Sequence, residues 1–189
     1  TTCGWMMWNW MVTGLAAGST LVIYDGSPFY NEGKILWDLA ESEKISVFGV
    51  SAKYISAQEK AEIKPKNISD LSSVRTVLST GSPLAPEIFD YIYRDVKSDI
   101  QLSSVSGGTD IISCFVSGNP ILPVRRGELQ CLGLGMAVEV YDEEGDSIVQ
   151  KDGELVCTKS FPSMPIYFWN DAKDRKYMAA YFEKFPKIL

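Results

Sequence analysis

The sequence predicts an α/β fold: a mostly parallel sheet with crossover helices, followed by a small antiparallel β portion. Three observations carry this expectation. Short β-branched runs alternate with helical patterns before Pro120. Turns rich in Gly, Ser and Pro close two of those runs. After Pro120 the helical periodicity stops, and short strand-like runs follow one another with turn residues between them.

The apolar, aromatic stretch 4–17 is long enough to read as a buried helix, ended by Gly18. Thr20 to Tyr24 (TLVIY) reads as a buried strand closed by Asp25-Gly26. Residues 32–43 place Ile35, Leu36, Leu39 and Ala40 on one helical face, with Asn31 as N-cap. Ser46 to Val50 is a second strand, and 52–61 a helix stopped before Pro65. Val74 to Leu78 is a third strand. Ala85-Pro86-Glu87 opens a helix with Pro in its first turn, and Ile88, Phe89, Ile92 and Tyr93 form its apolar face. Ile100 to Val105 is a fourth strand. Beyond it, 128–132, 136–141, 147–150 and 154–158 read as short strands, with hairpin signals at Asp142 to Gly145 and Lys151 to Gly153. A helix is expected over 170–184, capped by Asn170 or Asp171, with Tyr177, Ala180 and Tyr181 inward. The division expected is an α/β portion over 1–123, an antiparallel portion over 124–169 and a closing helix over 170–189.

Composition narrows the chemistry. The chain has 189 residues, 46% hydrophobic and 22% charged, which excludes a disordered chain or a fibrous repeat. It carries 18 basic and 24 acidic residues, a net charge of −6, with no basic stripe, so no nucleic acid is expected as partner. There is no histidine, which excludes Ser-His-Asp and Cys-His catalysis and any imidazole-bound metal. Cys3, Cys114, Cys131 and Cys157 lie too far apart for a zinc-knuckle or redox pair, and read as reduced thiols of a cytoplasmic protein. No membrane span and no signal peptide are expected. The chain lacks an initial methionine, and both ends read as cut from a longer protein.

Two loops stand where open parallel sheets bind ligands, beyond the carboxyl ends of strands. They are Thr80-Gly81-Ser82-Pro83 and Ser106-Gly107-Gly108-Thr109-Asp110. The glycines allow close approach of backbone to ligand, Thr109 offers a hydroxyl, and Asp110 offers oxygen to Mg²⁺. The same residue types also build purely structural turns, and no Walker phosphate loop is present, so both readings stay open on these residues. The run Trp5-Met6-Met7-Trp8-Asn9-Trp10 could line an apolar pocket or pack as a core helix, with Asn9 needing a polar partner. Trp37 and Trp169 read as packing residues; 41–44, 142–146 and 173–176 read as solvated surface.

Taken together, these stretches resemble the adenylate-forming acyl-CoA synthetases. The likeness runs over nearly the whole chain. Asp70 to Arg75 leading to Gly81-Ser82-Pro83-Leu84, and Gly107-Gly108-Thr109-Asp110, match patterns shared across that superfamily. Thr1 to Pro28 and Pro162 to Asn170 resemble its acetoacetate-activating branch. The resemblance implies that ATP and a carboxylic acid form an acyl-adenylate with release of pyrophosphate, and that CoA then displaces AMP. It implies that Gly81, Ser82, Pro83, Ser104, Val105, Ser106, Gly107, Gly108 and Thr109 contact the nucleotide, with Thr109 on the α-phosphate as the catalytic group. It implies that Met6, Met7, Thr80 and Gly107 border the acyl group, and that Asp110 takes the Mg²⁺ position where the family usually has Glu. Acetate-activating members carry Trp at the position of Gly107, so the glycine is expected to leave room for a four-carbon keto acid. The family's phosphate loop, ribose-binding Asp and catalytic Lys of the mobile C-terminal domain are expected outside residues 1–189, so this chain alone is expected to be inactive. The competing expectations are a synthetase for another short acid and a non-catalytic α/β module that binds a partner through its aromatic N-terminal segment. Oligomeric state is not legible.

Overall fold

The computed structural model describes residues 3–185. In chain order the first elements are helix α1 (Met6–Ala16), helix α2 (Ile35–Ser42), strand β1 (Val47–Ser51), helix α3 (Ala52–Lys60), strand β2 (Thr76–Thr80), helix α4 (Pro86–Tyr91) with a π-helical extension (Ile92–Val96), and strand β3 (Gln101–Ser104). The three strands form a parallel sheet in the order β1-β2-β3. Parallel neighbours need a connection that travels back along the sheet, and α3 and α4 supply it. Ser51 starts α3 by accepting the Tyr54 N–H at its Oγ (3.1 Å). Pro86 starts α4 at a position where its missing N–H costs nothing.

The main core lies between this sheet and α2, α3 and α4. Trp37, Ile55, Val74, Val77, Tyr91, Ile92 and Leu102 are almost wholly removed from water. Trp37 stacks on Phe48 with ring centroids 4.7 Å apart and donates its Nε1–H to Gln58 Oε1 (2.8 Å). The Gln58 side chain is fully buried, and its Nε2 has no partner among the described residues. Burial also holds the Tyr54 and Tyr91 hydroxyls well above the usual phenol range. Asp95, nearly buried, is tied by Arg94 Nε at 2.7 Å.

Antiparallel pairing begins earlier than the sequence predicts. Ser106–Gly108 is not a loop but strand β4, which pairs with β5 (Ser113–Ser117); β5 in turn pairs with the two-residue β6 (Cys131–Leu132). A second small sheet joins β7 (Val138–Tyr141) to β8 (Glu154–Cys157). The chain closes on helix α5 (Arg175–Tyr181).

Several expected details differ. Thr20 to Tyr24 is not a strand: β-branched residues favour extended backbone, but no described strand bonds to this run, and Ile23 is 65% exposed. Asn31 does not cap α2. It sits at φ 53°, the helix begins at Ile35, and its amide instead reaches Asp38 Oδ2 (3.3 Å). The third strand is displaced to Thr76–Thr80, because its register follows the partners on both sides rather than the apolar run. The run 147–150 contributes only a bridge between Ser147 and Tyr141, since β8 takes the ladder of β7. The long C-terminal helix is reduced to Arg175–Tyr181. Tyr177 is buried there, while Ala180 and Tyr181 face water, and Trp169 is 82% exposed rather than packed. Only Met6 and Met7 of α1 are buried, so that helix lies along the surface of the described residues, and half-exposed Asn9 needs no protein partner.

Asp171 does act as the predicted cap, from outside the helix: its Oδ1 accepts from Lys176 N–H (3.0 Å) and its Oδ2 from Tyr177 N–H (2.8 Å). Partial desolvation pushes its pKa up, but these backbone bonds and the Lys176 charge outweigh that and hold it below the usual carboxylate value. A depressed folded-state pKa stabilises the folded form above the unfolded carboxylate pKa and ceases to do so as pH falls through the folded value. Amide hydrogen exchange at Lys176 and Tyr177 is therefore expected to accelerate across that acid window; unchanged protection there removes Asp171 as the cap. In the core, Trp37→Phe strands both polar ends of Gln58 and is expected to cost about 1–3 kcal/mol in urea unfolding. Trp37→Phe combined with Gln58→Leu is expected to recover part of that loss, because no orphaned amide remains.

Candidate functional site

β2 and β3 end side by side, and the chain leaves both ends into turns. Val105 N–H donates to Ser79 O (2.8 Å), and Thr80 Oγ1 donates to Val105 O (3.0 Å), so the pairing continues one step past β3. This brings the two strand-end turns to the same level. Between them and the start of α1 lies a cleft of about 480 Å³.

Of the residues singled out from the sequence, Met6, Thr80, Gly81, Ser82, Pro83, Ser104, Val105, Ser106, Gly107 and Thr109 line this cleft. Three do not. Met7 packs beneath it, where a methyl group on Gly49 would come within 2.8 Å of Met7 Cε. Gly108 ends β4 outside the lining. Asp110 is exposed beyond Thr109, outside the lining, and a methyl on Gly108 would sit 3.3 Å from its Oδ1.

The geometry gives two glycines distinct roles. Gly81 adopts φ 90°, a left-handed conformation that side chains disfavour, and a methyl there would approach Trp5 Cζ2 at 3.2 Å. Gly107 faces strand β5: a Cβ would meet Ser113 O at 2.1 Å and Cys114 Cα at 2.8 Å. The Cβ direction at Gly107 thus leads into backbone. The open space beside it is not the vacancy of a ring pointing into the cleft, and the volume argument from Gly107 does not hold in this geometry. A β-bulge between Ser106 and Gly107 shifts the register at the same place.

Sequence reasoning missed part of the wall: Leu84, Phe89 and the segment Gly127-Glu128-Leu129. Trp5, in the run that reads as either pocket lining or core helix, is the N-cap of α1 and half-exposed at the cleft. Gly127 to Leu129 returns from the antiparallel portion and gave no local signal. It is anchored to α4, where Arg126 Nε contacts both Asp90 carboxylate oxygens at 3.0 Å and Arg126 Nη2 lies 3.8 Å from Glu87 Oε1.

A second cleft of about 520 Å³ opens among Glu32, Lys34, Glu62, Ile63 and Lys64, far in sequence from these turns and with none of the predicted residues. Among the described residues there is no cluster of three or more His, Cys, Asp or Glu side chains placed to hold a metal. No described helix is long and apolar enough to cross a membrane. The four cysteines are free; Cys114, on β5, is buried with Met6, Met7 and Val105, and that burial raises its thiol pKa, whereas Cys3 is exposed.

Gly107→Ala is expected to force β4 away from β5 and lower stability by about 1–3 kcal/mol, the usual cost of overpacking; an unchanged denaturation midpoint would show that the Ser113 carbonyl yields. In thiol-alkylation time courses read by peptide mass, Cys3 is expected to react well before Cys114, which has neither access nor thiolate. Equal rates would contradict the buried position.

The chain is 57% identical over 188 residues to the acetoacetyl-coenzyme A synthetase of Rhizobium meliloti (strain 1021), a match covering 100% of this chain and 29% of that protein. It is 51% identical over 188 residues to the acetoacetyl-CoA synthetase of Mus musculus, covering 100% of this chain and 28% of the mouse protein. Among solved structures, the acetoacetyl-CoA synthetase from Streptomyces lividans superposes with a TM-score of 0.93 at 44% identity, over 100% of this chain and 30% of that one. The chain therefore spans under a third of the length of these proteins. The family described as AMP-binding enzyme matches residues 2–168, and the chain belongs to that family.

Proposed function

We propose that this chain is part of an ATP-dependent acid–thiol ligase that converts acetoacetate, ATP and CoA into acetoacetyl-CoA, AMP and pyrophosphate. The observation that carries this reading is that the two strand-end turns, far apart in sequence, share one cleft with the start of α1. The names of the relatives and their identity over the whole chain support the same reading.

In this reading the base and ribose of the nucleotide lie against Gly81, Ser82, Pro83 and the Ser104–Thr109 segment. A carboxylate oxygen of the acid attacks the α-phosphorus, and the bond to pyrophosphate breaks. The Thr109 hydroxyl donates a hydrogen bond to an α-phosphate oxygen as charge moves through it. The resulting acyl-AMP is a mixed anhydride. The CoA thiol gives up its proton to solvent, its sulfur attacks the carbonyl carbon, and AMP leaves with the electron pair of the broken C–O bond. Neither step needs a histidine base, in keeping with a chain that has none. Met6, Thr80 and Gly107 border the acyl end, with Met7 supporting Met6 from beneath.

Mg²⁺ in such sites is held by one or two carboxylates together with substrate phosphates, so a single exposed carboxylate next to Thr109 suits it. Asp110 is that group, and the ion would supply charge neutralisation on the phosphates. The protein is placed in the cytoplasm in this reading, with small molecules as its partners.

The test uses the full-length protein. Pyrophosphate release is expected with acetoacetate, ATP and Mg²⁺, and acetoacetyl-CoA is expected on adding CoA. Thr109→Ala is expected to lower kcat about 10²–10³-fold, the usual loss for one transition-state donor. If another short acid is used far better, the acetoacetate assignment falls; if no acid supports pyrophosphate release, the ligase reading falls and the partner-binding alternative replaces it.

A further inference from the structure

We propose that Thr80 is a positioning residue for the reaction: its hydroxyl, bound to the Val105 carbonyl, holds the Ser106–Thr109 segment level with the Gly81–Pro83 turn. The inference rests on the ligase reading above and adds the residue that keeps the two halves of the cleft aligned. Val105 is the single residue between β3, which ends at Ser104, and β4, which begins at Ser106. Both of its backbone groups are held by β2. Its N–H donates to Ser79 O (2.8 Å), and its carbonyl accepts from Thr80 Oγ1 (3.0 Å). Any residue at position 79 can supply the first bond, because it is made by a backbone carbonyl. The second needs a short side-chain donor at position 80.

The tie sits where the chain is about to bend. Immediately after Val105 the β4–β5 register shifts between Ser106 and Gly107, and a bulge leaves the ladder locally broken. Thr109 follows directly on β4, so its height against the Gly81 turn depends on how Val105 is held. Thr80 and Val105 are both buried, 8% and 6% exposed, so water replaces a lost donor there poorly. The branched Cβ of Thr80 restricts its first side-chain torsion, which keeps the hydroxyl aimed at one acceptor.

The same bond decides what Thr80 offers a substrate. A threonine hydroxyl has one proton to donate. Given to Val105, that proton is not available to the carboxylate of the acid. Toward an anion Thr80 therefore contributes its methyl group, as part of the wall that also holds Met6. The side chain has two separable parts: the hydroxyl aligns the reacting groups through Val105, and the methyl fills space at the acyl end. Misplacing reacting groups by about 1 Å can cost on the order of 10²-fold in rate. Loss of alignment is read in kcat, and loss of packing against the bound acid in KM.

The experiment is steady-state pyrophosphate release from acetoacetate and ATP by the full-length protein, alongside amide hydrogen exchange of the Val105 segment read by peptide mass. Thr80→Val keeps the branched shape and removes the hydroxyl. It is expected to lower kcat about tenfold, the scale of one buried hydrogen bond lost, with little change in KM for acetoacetate. Exchange at Val105 is expected to accelerate in the same variant. Thr80→Ser keeps the hydroxyl and removes the methyl. It is expected to retain slow exchange and most of kcat, while KM for acetoacetate rises. If Thr80→Val exchanges at Val105 as wild type does, or if Thr80→Ser loses as much kcat as Thr80→Val, the hydroxyl is not the tie and the inference is overturned. Faster exchange in Thr80→Val with kcat unchanged would overturn the positioning role and leave the ligase reading standing. Failure of wild type to release pyrophosphate with any acid would sink the ligase reading, and the role of Thr80 in the reaction with it.

Discussion

The site depends on β2 and β3 remaining paired to their last residues and one step beyond. Parallel strands have no tight turn to hold their ends level; each runs off into its own connection. Here the Val105 N–H to Ser79 O bond and the Thr80 hydroxyl to Val105 O bond carry the ladder past β3. The second of these is made by a side chain, and it satisfies a carbonyl that the end of the sheet would leave orphaned. Without that tie the two turns would stand at different heights, and the cleft between them would open into a groove. The buried sequence Val77, Ser79 and Thr80 along β2 shows how far this end of the strand is enclosed.

The chain changes sheet at the same place. Val105 still pairs with the parallel sheet through its backbone, while Ser106 begins the antiparallel one. A strand that changes partner in one residue must bend, and the bulge at Ser106/Gly107 absorbs the bend. Gly107 is required there because β5 passes so close that any Cβ would enter its backbone. The glycine looks from sequence like a device to widen a pocket. In three dimensions it is a device to let two strands meet, and the width of the cleft beside it is a by-product.

This contrast explains what could be read in advance. The alternation of β-branched runs with helical periodicity recovered β1, α3, α4 and β3, because those elements bury a continuous face against one core. Both strand-end turns were legible because Gly, Ser, Thr and Pro concentrate where strands stop. Thr20 to Tyr24 misled for the opposite reason: composition reports a liking for extended backbone, while a strand also needs a neighbour, which composition does not contain. The Gly127–Leu129 wall was illegible because its place depends on Arg126 reaching α4, a pairing across more than thirty residues of sequence with no local periodicity. The extent of the site was thus readable near the strands that form it and invisible where the chain returns from a distant turn.

Charge completes the argument about what these residues can do by themselves. The described lining contains hydroxyls, backbone amides, aromatic and sulfur side chains and one carboxylate, and no Lys or Arg. Such a surface suits a flat base and a small acyl group, both of which are held by contact and by a few hydrogen bonds. It does not suit a triphosphate, whose several negative charges call for cations or a cradle of N–H groups. The guanidinium of Arg126, the residue before Gly127, is spent on Asp90 and Glu87. On the proposed reading, the work in this cleft is recognition and alignment of the two reacting partners. On the same reading, neutralising the phosphates would fall to a metal ion and to groups beyond these lining residues; the chain spans under a third of its relatives' length. The proposed reaction is also compatible with the absence of histidine from this sequence: once the acid is joined to AMP, the anhydride itself would carry the reactivity, and the protein's part would be to keep it oriented until the thiol arrives.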